Sequence, residues 1–255
     1  MHLATLNLRN TADRWRERRA LLVGQLVYLA PDVLGVQELR MFPDQAAWIV
    51  QEVAARTGGR LRYRAYRRPK TGIAGAWEGI GVLARVPVVA TASLDLGAQG
   101  RVAQRVTVRP PEGGVVDVYN THLGVGGEVL RAAQARRILD WMEARPPVPA
   151  VLMGDLNARP GSPTIELLSS HLRSAHLAVH GSEPLRTVPT PLRVRPIGEG
   201  SVLDYVFVNG MLEVDDARVA FDHADPGDPT LYPSDHYGLS VTVSCSPASP
   251  DRRRR

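Results

Sequence analysis

Carboxylate, amide and imidazole side chains recur in this chain at one kind of place, the end of a segment that reads as a β-strand. Asn7 closes the first such segment, Glu38 the second, and Asn120 with His122 the segment Val115–Thr121. Asp155 and Asn157 follow Ala150–Met153, Asp204 opens the apolar run that ends at Val208, and Ser234-Asp235-His236 precedes the last strand. A carboxylate at the end of a buried strand costs several kcal/mol unless it is paired or coordinates a cation. Six such positions in one chain therefore argue for a shared polar cleft. Such groups bind hard cations and move protons. No covalent nucleophile accompanies them: Cys245, the only cysteine, stands where a Ser/Pro/Arg-rich tail begins, and no serine occupies a Gly-x-Ser-x-Gly turn.

Each position alone has a plain structural reading. Asn7 or Asn157 caps a turn, Glu38 is a surface strand end, His122 is a satisfied core histidine, Asp204 pairs with an arginine, and Asp235 caps a turn. Their joint occurrence is what carries the functional reading.

The elements that must position these groups alternate between strands and amphipathic helices, with several strands in succession, a pattern that predicts a layered α/β sandwich. Strands are expected at 2–8, 33–39, 61–66, 79–85, 88–94, 102–109, 115–121, 150–153, 202–208, 217–221 and 237–243. Helices are expected at 14–29, 45–56, 128–142 and 163–169. Val102–Val108 alternates apolar and polar residues, which predicts a half-exposed antiparallel strand. Two stretches, 67–78 and 181–201, lack periodicity and read as long loops, a kind of segment that often carries function. One domain over 1–244 and a disordered tail over 245–255 are expected.

The net charge of +5 invites a polyanionic partner, but the last five residues alone carry +3 and leave the body near +2. With no long apolar run, no leader-like N-terminus and a single cysteine, a cytoplasmic monomer without a membrane segment is expected.

The segments Thr5-Leu6-Asn7, Gln37-Glu38, Glu78-Gly79-Ile80-Gly81-Val82-Leu83, Tyr119-Asn120-Thr121-His122-Leu123, Gly154-Asp155-Leu156-Asn157-Ala158, Leu203-Asp204-Tyr205-Val206-Phe207 and Ser234-Asp235-His236 together resemble the endonuclease/exonuclease/phosphatase superfamily. They occur in the family's order over nearly the whole chain. The resemblance implies a four-layer α/β/β/α sandwich of the deoxyribonuclease I-like kind, two mixed β-sheets flanked by helices, with the site at one end of the sheets. It also implies Glu38 as principal ligand of Mg²⁺ or Mn²⁺, supported by Asn7 and Asp235, an oxygen-rich set that suits a hard cation. Asp155 would orient or deprotonate the water, and Asn157 would hold the phosphate or that water. His236, paired with Asp204, resembles the family's catalytic histidine. A carboxylate beside an imidazole raises its pKa, so His236 serves either as a charge-stabilising imidazolium, the role favoured here, or as the general base. His122 would donate to a phosphate oxygen, oriented by Glu78, with Asn120 beside it.

Arg9 and Arg159, each just past one of these residues, reach flanking phosphates on this reading and are ordinary surface arginines on the plainer one. Arg186, Arg193 and Arg195 could track a polyanionic backbone. Trp77 either stacks on a base or, the preferred reading, is buried under a loop. The leading expectation is a phosphodiesterase acting on a phosphoester such as DNA or RNA. The alternatives are a phosphomonoesterase or lipid phosphodiesterase on the same core and, least favoured, an inactive binding module. The Trp-Cys-Asp-Arg signature of inositol polyphosphate 5-phosphatases is absent, and so is an apolar hairpin that would enter a bilayer.

Overall fold

Successive residues of each central strand face two different apolar environments, and that alternation stacks the molecule into layers. The computed structural model describes residues 1–193 and 199–245. In chain order the elements are β1 (His2–Asn7), α1 (Trp15–Leu29), β2 (Val33–Arg40), α2 (Gln45–Arg56), β3 (Arg64–Pro69), β4 (Glu78–Ala84), β5 (Val88–Asp95), β6 (Val102–Val108), β7 (Val116–His122), α3 (Glu128–Glu143), β8 (Ala150–Asp155), α4 (Pro163–Ser169), β9 (Arg173–Ser174), α5 (Ala175–His180), β10 (Asp204–Val208), β11 (Leu212–Ala220) and β12 (Gly238–Cys245). The strands form two six-stranded sheets, ordered β11-β12-β1-β2-β4-β3 and β5-β6-β7-β8-β10-β9. Both are mixed: β1 and β2 are parallel across α1, β7 and β8 are parallel across α3, and their remaining neighbours are antiparallel.

Leu3, Val33, Val82, Val118, Val151, Met153 and Val206 pack between the sheets. Ala4, Leu6, Leu34 and Val36 face the other way, against Leu22 and Leu26 of α1 and Ile49 and Val53 of α2. Tyr119, Leu152 and Phe207 likewise cover Ile138 and Leu139 of α3 and Leu168 of α4. The result is the expected α/β/β/α sandwich. Among the described residues no helix is long and apolar enough to cross a membrane.

The row of residues that faces the opposite sheet changes character at one end of the molecule. It runs Leu3, Thr5, Asn7 in β1, Val118, Asn120, His122 in β7 and Val151, Met153, Asp155 in β8; in antiparallel β10 it runs back from Val208 and Val206 to Asp204. Ligand sites of α/β sheets gather at the carboxyl ends of parallel strands, and here the polar ends of both sheets coincide. The sheets approach closely beneath them: a Cβ on Gly35 would lie 2.8 Å from Met153 Cε and 3.0 Å from Asn120 Oδ1.

Several expectations need correction. All seven residues of β6 are buried. Its polar side chains are absorbed by partners, Gln104 donating to Tyr66 O and Thr107 to Asp117 Oδ1, while Arg105 lies over the ring of Trp141. β3 starts three residues later than expected, because an arginine-rich segment forms the sheet edge, where charge is tolerated. β11 begins at Leu212, its first half disguised by Asp215, Asp216 and a register shift after Val214. The short elements β9 and α5 leave no periodic signal in the sequence. Ser244 and Cys245 belong to β12, paired with β11; residues 246–255, most of the segment expected as a tail, lie outside the described residues.

Candidate active site

Local backbone devices aim the polar groups at one another. The pairing of β2 with β4 slips between Val36 and Leu39, and Glu38 sits in this bulge with φ 49°, a left-handed conformation uncommon for glutamate. Asn157 has the same φ of 49°, which asparagine adopts more readily. Register does the rest: Asp155 stands opposite His122 of β7 on one side and Asp204 of β10 on the other. The Ser234-Asp235-His236 turn is tied to β1, Ser234 Oγ donating to Asn7 O at 2.6 Å.

These residues form one network. Asn7 Nδ2 donates to Glu38 Oε1 at 3.2 Å and to Asp155 Oδ2 at 2.9 Å, so one amide bridges two carboxylates across the sheets. Asp155 Oδ1 accepts from Asn157 N at 2.9 Å, and Asn157 Nδ2 donates to Leu123 O, leaving its second amide hydrogen available. His122 Nε2 is 3.4 Å from Asp155 Oδ2. His236 Nδ1 donates to Asp204 Oδ2 at 2.9 Å, which leaves Nε2 for the cavity that His236 lines.

Burial and neighbouring charge separate the protonation of these groups. Burial, reinforced by the Asp204 carboxylate, pushes Asp155 up to about 7 against the pull of His236 and Asn7. For His236 burial acts downward, but the charge and hydrogen bond of Asp204 outweigh it and raise the imidazole to about 10, so it is a cation at neutral pH. Burial pushes His122 well below its ordinary value, helped by the positive charges of Arg101, Lys70 and His236, so it is neutral.

The cavity has a volume of about 360 Å³ and is lined by Glu38, Asp155 and His236 together with Arg9, Arg159 and Arg193. Two buried carboxylate oxygens, Asp204 Oδ1 and Asp235 Oδ2, have no hydrogen-bond partner among the described residues. Arg193 Nε and Arg9 Nε approach Asp235 Oδ2 at 3.0 and 3.5 Å, charge contacts without hydrogen-bond alignment. Asp204 Oδ1 is thus a buried oxygen without a partner among the described residues, and Asp235 Oδ2, once these guanidinium groups give way, is an oxygen donor of the kind a hard divalent cation takes. Asn7 presents Nδ2 to these carboxylates while its Oδ1 accepts from Arg9 N, so it can ligate a cation only after its amide turns over.

Two expected site residues are placed differently. Asn120 is fully buried and ties the sheets together, donating to Val36 O and Gly81 O and accepting from Gln37 Nε2; its amide has no hydrogen left for a substrate. Glu78 pairs with Lys70 and makes no hydrogen bond to His122, whose Nδ1 is unpartnered among the described residues. Trp77 is 59% exposed, not buried under a loop. Of the loop arginines, Arg193 lines the cavity, Arg186 hydrogen-bonds Tyr237, and Arg195 lies outside the described residues.

Other participants carry little signal in the sequence. Arg18 is fully buried and donates to the carbonyls of Leu8, Arg9, Asn10, Ala12, Asp13 and Pro233, clamping the loop after β1 to the turn before Asp235; burial lowers it to about 10. Its one sequence signal is its place four residues before Leu22 on the apolar stripe of α1. Arg101 also lines the cavity, 7% exposed, with Nε and Nη1 unpartnered among the described residues. Thr187 Oγ1 accepts from Leu203 N and Asp204 N, and Thr190 Oγ1 donates to Ser234 O, so one loop steadies both acidic turns.

The sandwich has counterparts among solved structures. The human Nocturnin catalytic domain with bound sulfate superposes with a TM-score of 0.75 at 24% identity, covering 96% of this chain and 93% of that one. A Danio rerio (D. rerio) TDP2 complexed with a single-strand DNA product gives 0.77 at 17%, covering 96% and 98%. A mannosyl-6-phosphatase of Bacteroides thetaiotaomicron gives 0.76 at 17%, covering 96% and 99%. At these identities the likeness establishes the fold. No protein of curated function matches the chain. The sequence itself matches the description Endonuclease/Exonuclease/phosphatase family over residues 4–236, a span that holds every group of the network just described, and the chain therefore belongs to that family.

Proposed function

We propose that this protein is a divalent-metal-dependent phosphodiesterase that cleaves nucleic acid by direct attack of water. The observation that carries the reading is the position of Asp155: a buried carboxylate raised toward neutrality, bracketed by a neutral histidine, by the Asp204–His236 pair and by Asn7 with Glu38. Asp155 accepts the proton of the attacking water, a task suited to a group whose pKa lies near the working pH. His236, held in orientation by Asp204, faces the phosphoryl group as a cation and stabilises the negative charge that develops there. The free amide hydrogen of Asn157 and a ring N–H of His122 bind non-bridging oxygens. Arg9 and Arg159 meet the phosphates on either side.

Glu38 and Asp235, joined by Asn7 once its amide has turned, would hold Mg²⁺ or Mn²⁺. When bound, such an ion supplies Lewis-acid stabilisation of the phosphoryl and leaving oxygens. Asp155, Asp204 and His236 also bring ligand atoms within 4.8 Å of one another. His236 Nδ1 and Asp204 Oδ2 in that trio are already engaged with each other, which favours the Glu38 side for the metal on this reading.

Purified protein should nick plasmid or degrade oligonucleotides with Mg²⁺ or Mn²⁺ and stop in EDTA. A panel of nucleic acids, phospholipids, sugar phosphates and nucleotides tests the substrate class, and inactivity on every nucleic acid would refute the nuclease reading. One observation favours a phosphomonoesterase instead: four arginines, Arg9, Arg101, Arg159 and Arg193, line a single cavity and would suit a dianionic terminal phosphate. Release of inorganic phosphate from sugar phosphates, with diesters untouched, would establish that alternative.

A further inference from the structure

A larger cavity, about 590 Å³, lies between the N-terminal ends of α1 and α2, outside the network described above. Trp15 and Trp48 face it with ring centroids 5.6 Å apart and planes at 72°. Both indoles are half-buried against the core, so their positions are fixed. Arg19 lies over Trp48 at 5.2 Å, and Arg14, Arg16 and Arg40 complete the cationic side. The acidic residues of this wall are already engaged: Glu17 pairs with Arg14, and Asp44 caps α2 through Ala47 N and pairs with Arg67. Arg16 and Arg19 have no ion pair among the described residues. A site of this size, with rigid aromatic rings and unpaired guanidinium groups, is complementary to a flat heteroaromatic ring carrying phosphate.

Two short stretches of chain join the wall of this cavity to that of the candidate active site, although the two cavities share no lining residue. Arg9 lines the catalytic cavity, and Thr11, two residues on, lines this one. Arg40 follows Glu38 by two residues, so their Cα atoms are within about 7 Å, and it donates to Thr11 Oγ1 at 2.8 Å. The 9–11 turn therefore separates the two cavities by a few residues only, and it is the path a strand with its scissile phosphate over Asp155 would take to reach this pocket.

We propose that the Trp15–Trp48 pocket is an accessory site for single-stranded nucleic acid, taking up a base and the two phosphates next to it on one side of the scissile bond. The inference takes its substrate class from the phosphodiesterase reading above. Stacking on an indole is tolerant of base identity because every base has a π face, so the pocket selects unpaired strands, not sequences.

The test uses the full-length protein, a fluorescein-labelled ten-nucleotide oligothymidylate and, as a substrate too small to reach the pocket, bis(p-nitrophenyl) phosphate. The Arg16→Gln/Arg19→Gln double variant changes two side chains outside the catalytic network. In EDTA its affinity for the oligonucleotide should fall roughly tenfold, and the slope of log affinity against log salt should become shallower by about 1.4, the change expected for two lost phosphate contacts. With metal, its KM for the oligonucleotide should rise while kcat/KM for bis(p-nitrophenyl) phosphate is unchanged. Trp48→Ala should weaken oligonucleotide binding and Trp48→Phe should restore it, which separates stacking from damage to the fold. Wild-type affinity and salt slope in the double variant would overturn the proposal, as would a wild-type protein that cleaves bis(p-nitrophenyl) phosphate without binding the oligonucleotide. If the binding pattern is as expected but no phosphodiester is cleaved, the pocket stands and the catalytic reading falls.

Discussion

The two parallel crossovers of the molecule, β1-α1-β2 and β7-α3-β8, occupy the same central place in their sheets and end at the same cleft, yet they bring different side chains to it. The first ends in Asn7 and Glu38 and is stiffened by a buried guanidinium, Arg18, that gathers six carbonyls. The second ends in His122 and Asp155, steadied by backbone donation from Asn157 and by registration against Asp204. On the proposed reading, one crossover would hold a cation and the other would handle a proton and an anion. Equivalent scaffolding thus fixes where a side chain is presented, while burial and neighbouring charge set its protonation there.

Mutations can break that division, and the largest effects belong to the second crossover and its partner turn. Asp155→Ala and His236→Ala should each lower kcat by about a hundredfold or more, with thermal unfolding close to wild type, checked by steady-state kinetics and calorimetry. On the first crossover, Glu38→Ala should instead raise the half-saturating Mg²⁺ concentration by at least roughly tenfold, with much of the activity recovered at high metal. Equal kcat losses in both, without any change in metal dependence, would erase the distinction. Arg18→Met leaves several carbonyls without a donor and should cost about 3 kcal/mol, seen as a Tm lower by roughly 6–12 °C. The smallest effects belong to residues placed outside the chemistry. Asn120→Ala should cost about 1–3 kcal/mol in chemical denaturation through loss of the sheet bridge, with kcat within about threefold of wild type. A large kcat loss at unchanged stability would return Asn120 to the substrate.

The elements carrying Asn7, Glu38, Asp155, Asp204 and His236 are legible because a short apolar strand that ends in a carboxylate, amide or imidazole must find that group a partner or a cation, and the order of the segments points to the sandwich. What stays hidden depends on contacts distant in sequence. Arg18 interrupts an apolar stripe, but only the fold reveals the carbonyls it serves. Arg101 looks like any arginine before a strand until burial isolates it from partners. Asn120 reads as a substrate contact because it neighbours His122; its engagement with Val36 and Gly81 of the other sheet cannot be seen from the sequence alone. The alternation in β6 is real, yet Gln104, Arg105 and Thr107 find partners inside, so polarity does not mean exposure.

The proposed division of labour between the two crossovers is tested most directly by where a cation binds. Crystals grown with Mn²⁺ and inorganic phosphate, examined by anomalous diffraction at the manganese edge, should show one peak between the carboxylates of Glu38 and Asp235, with phosphate on the side of His122, Asn157 and His236. A peak enclosed by Asp155, Asp204 and His236, with Glu38 uncoordinated, would contradict that division.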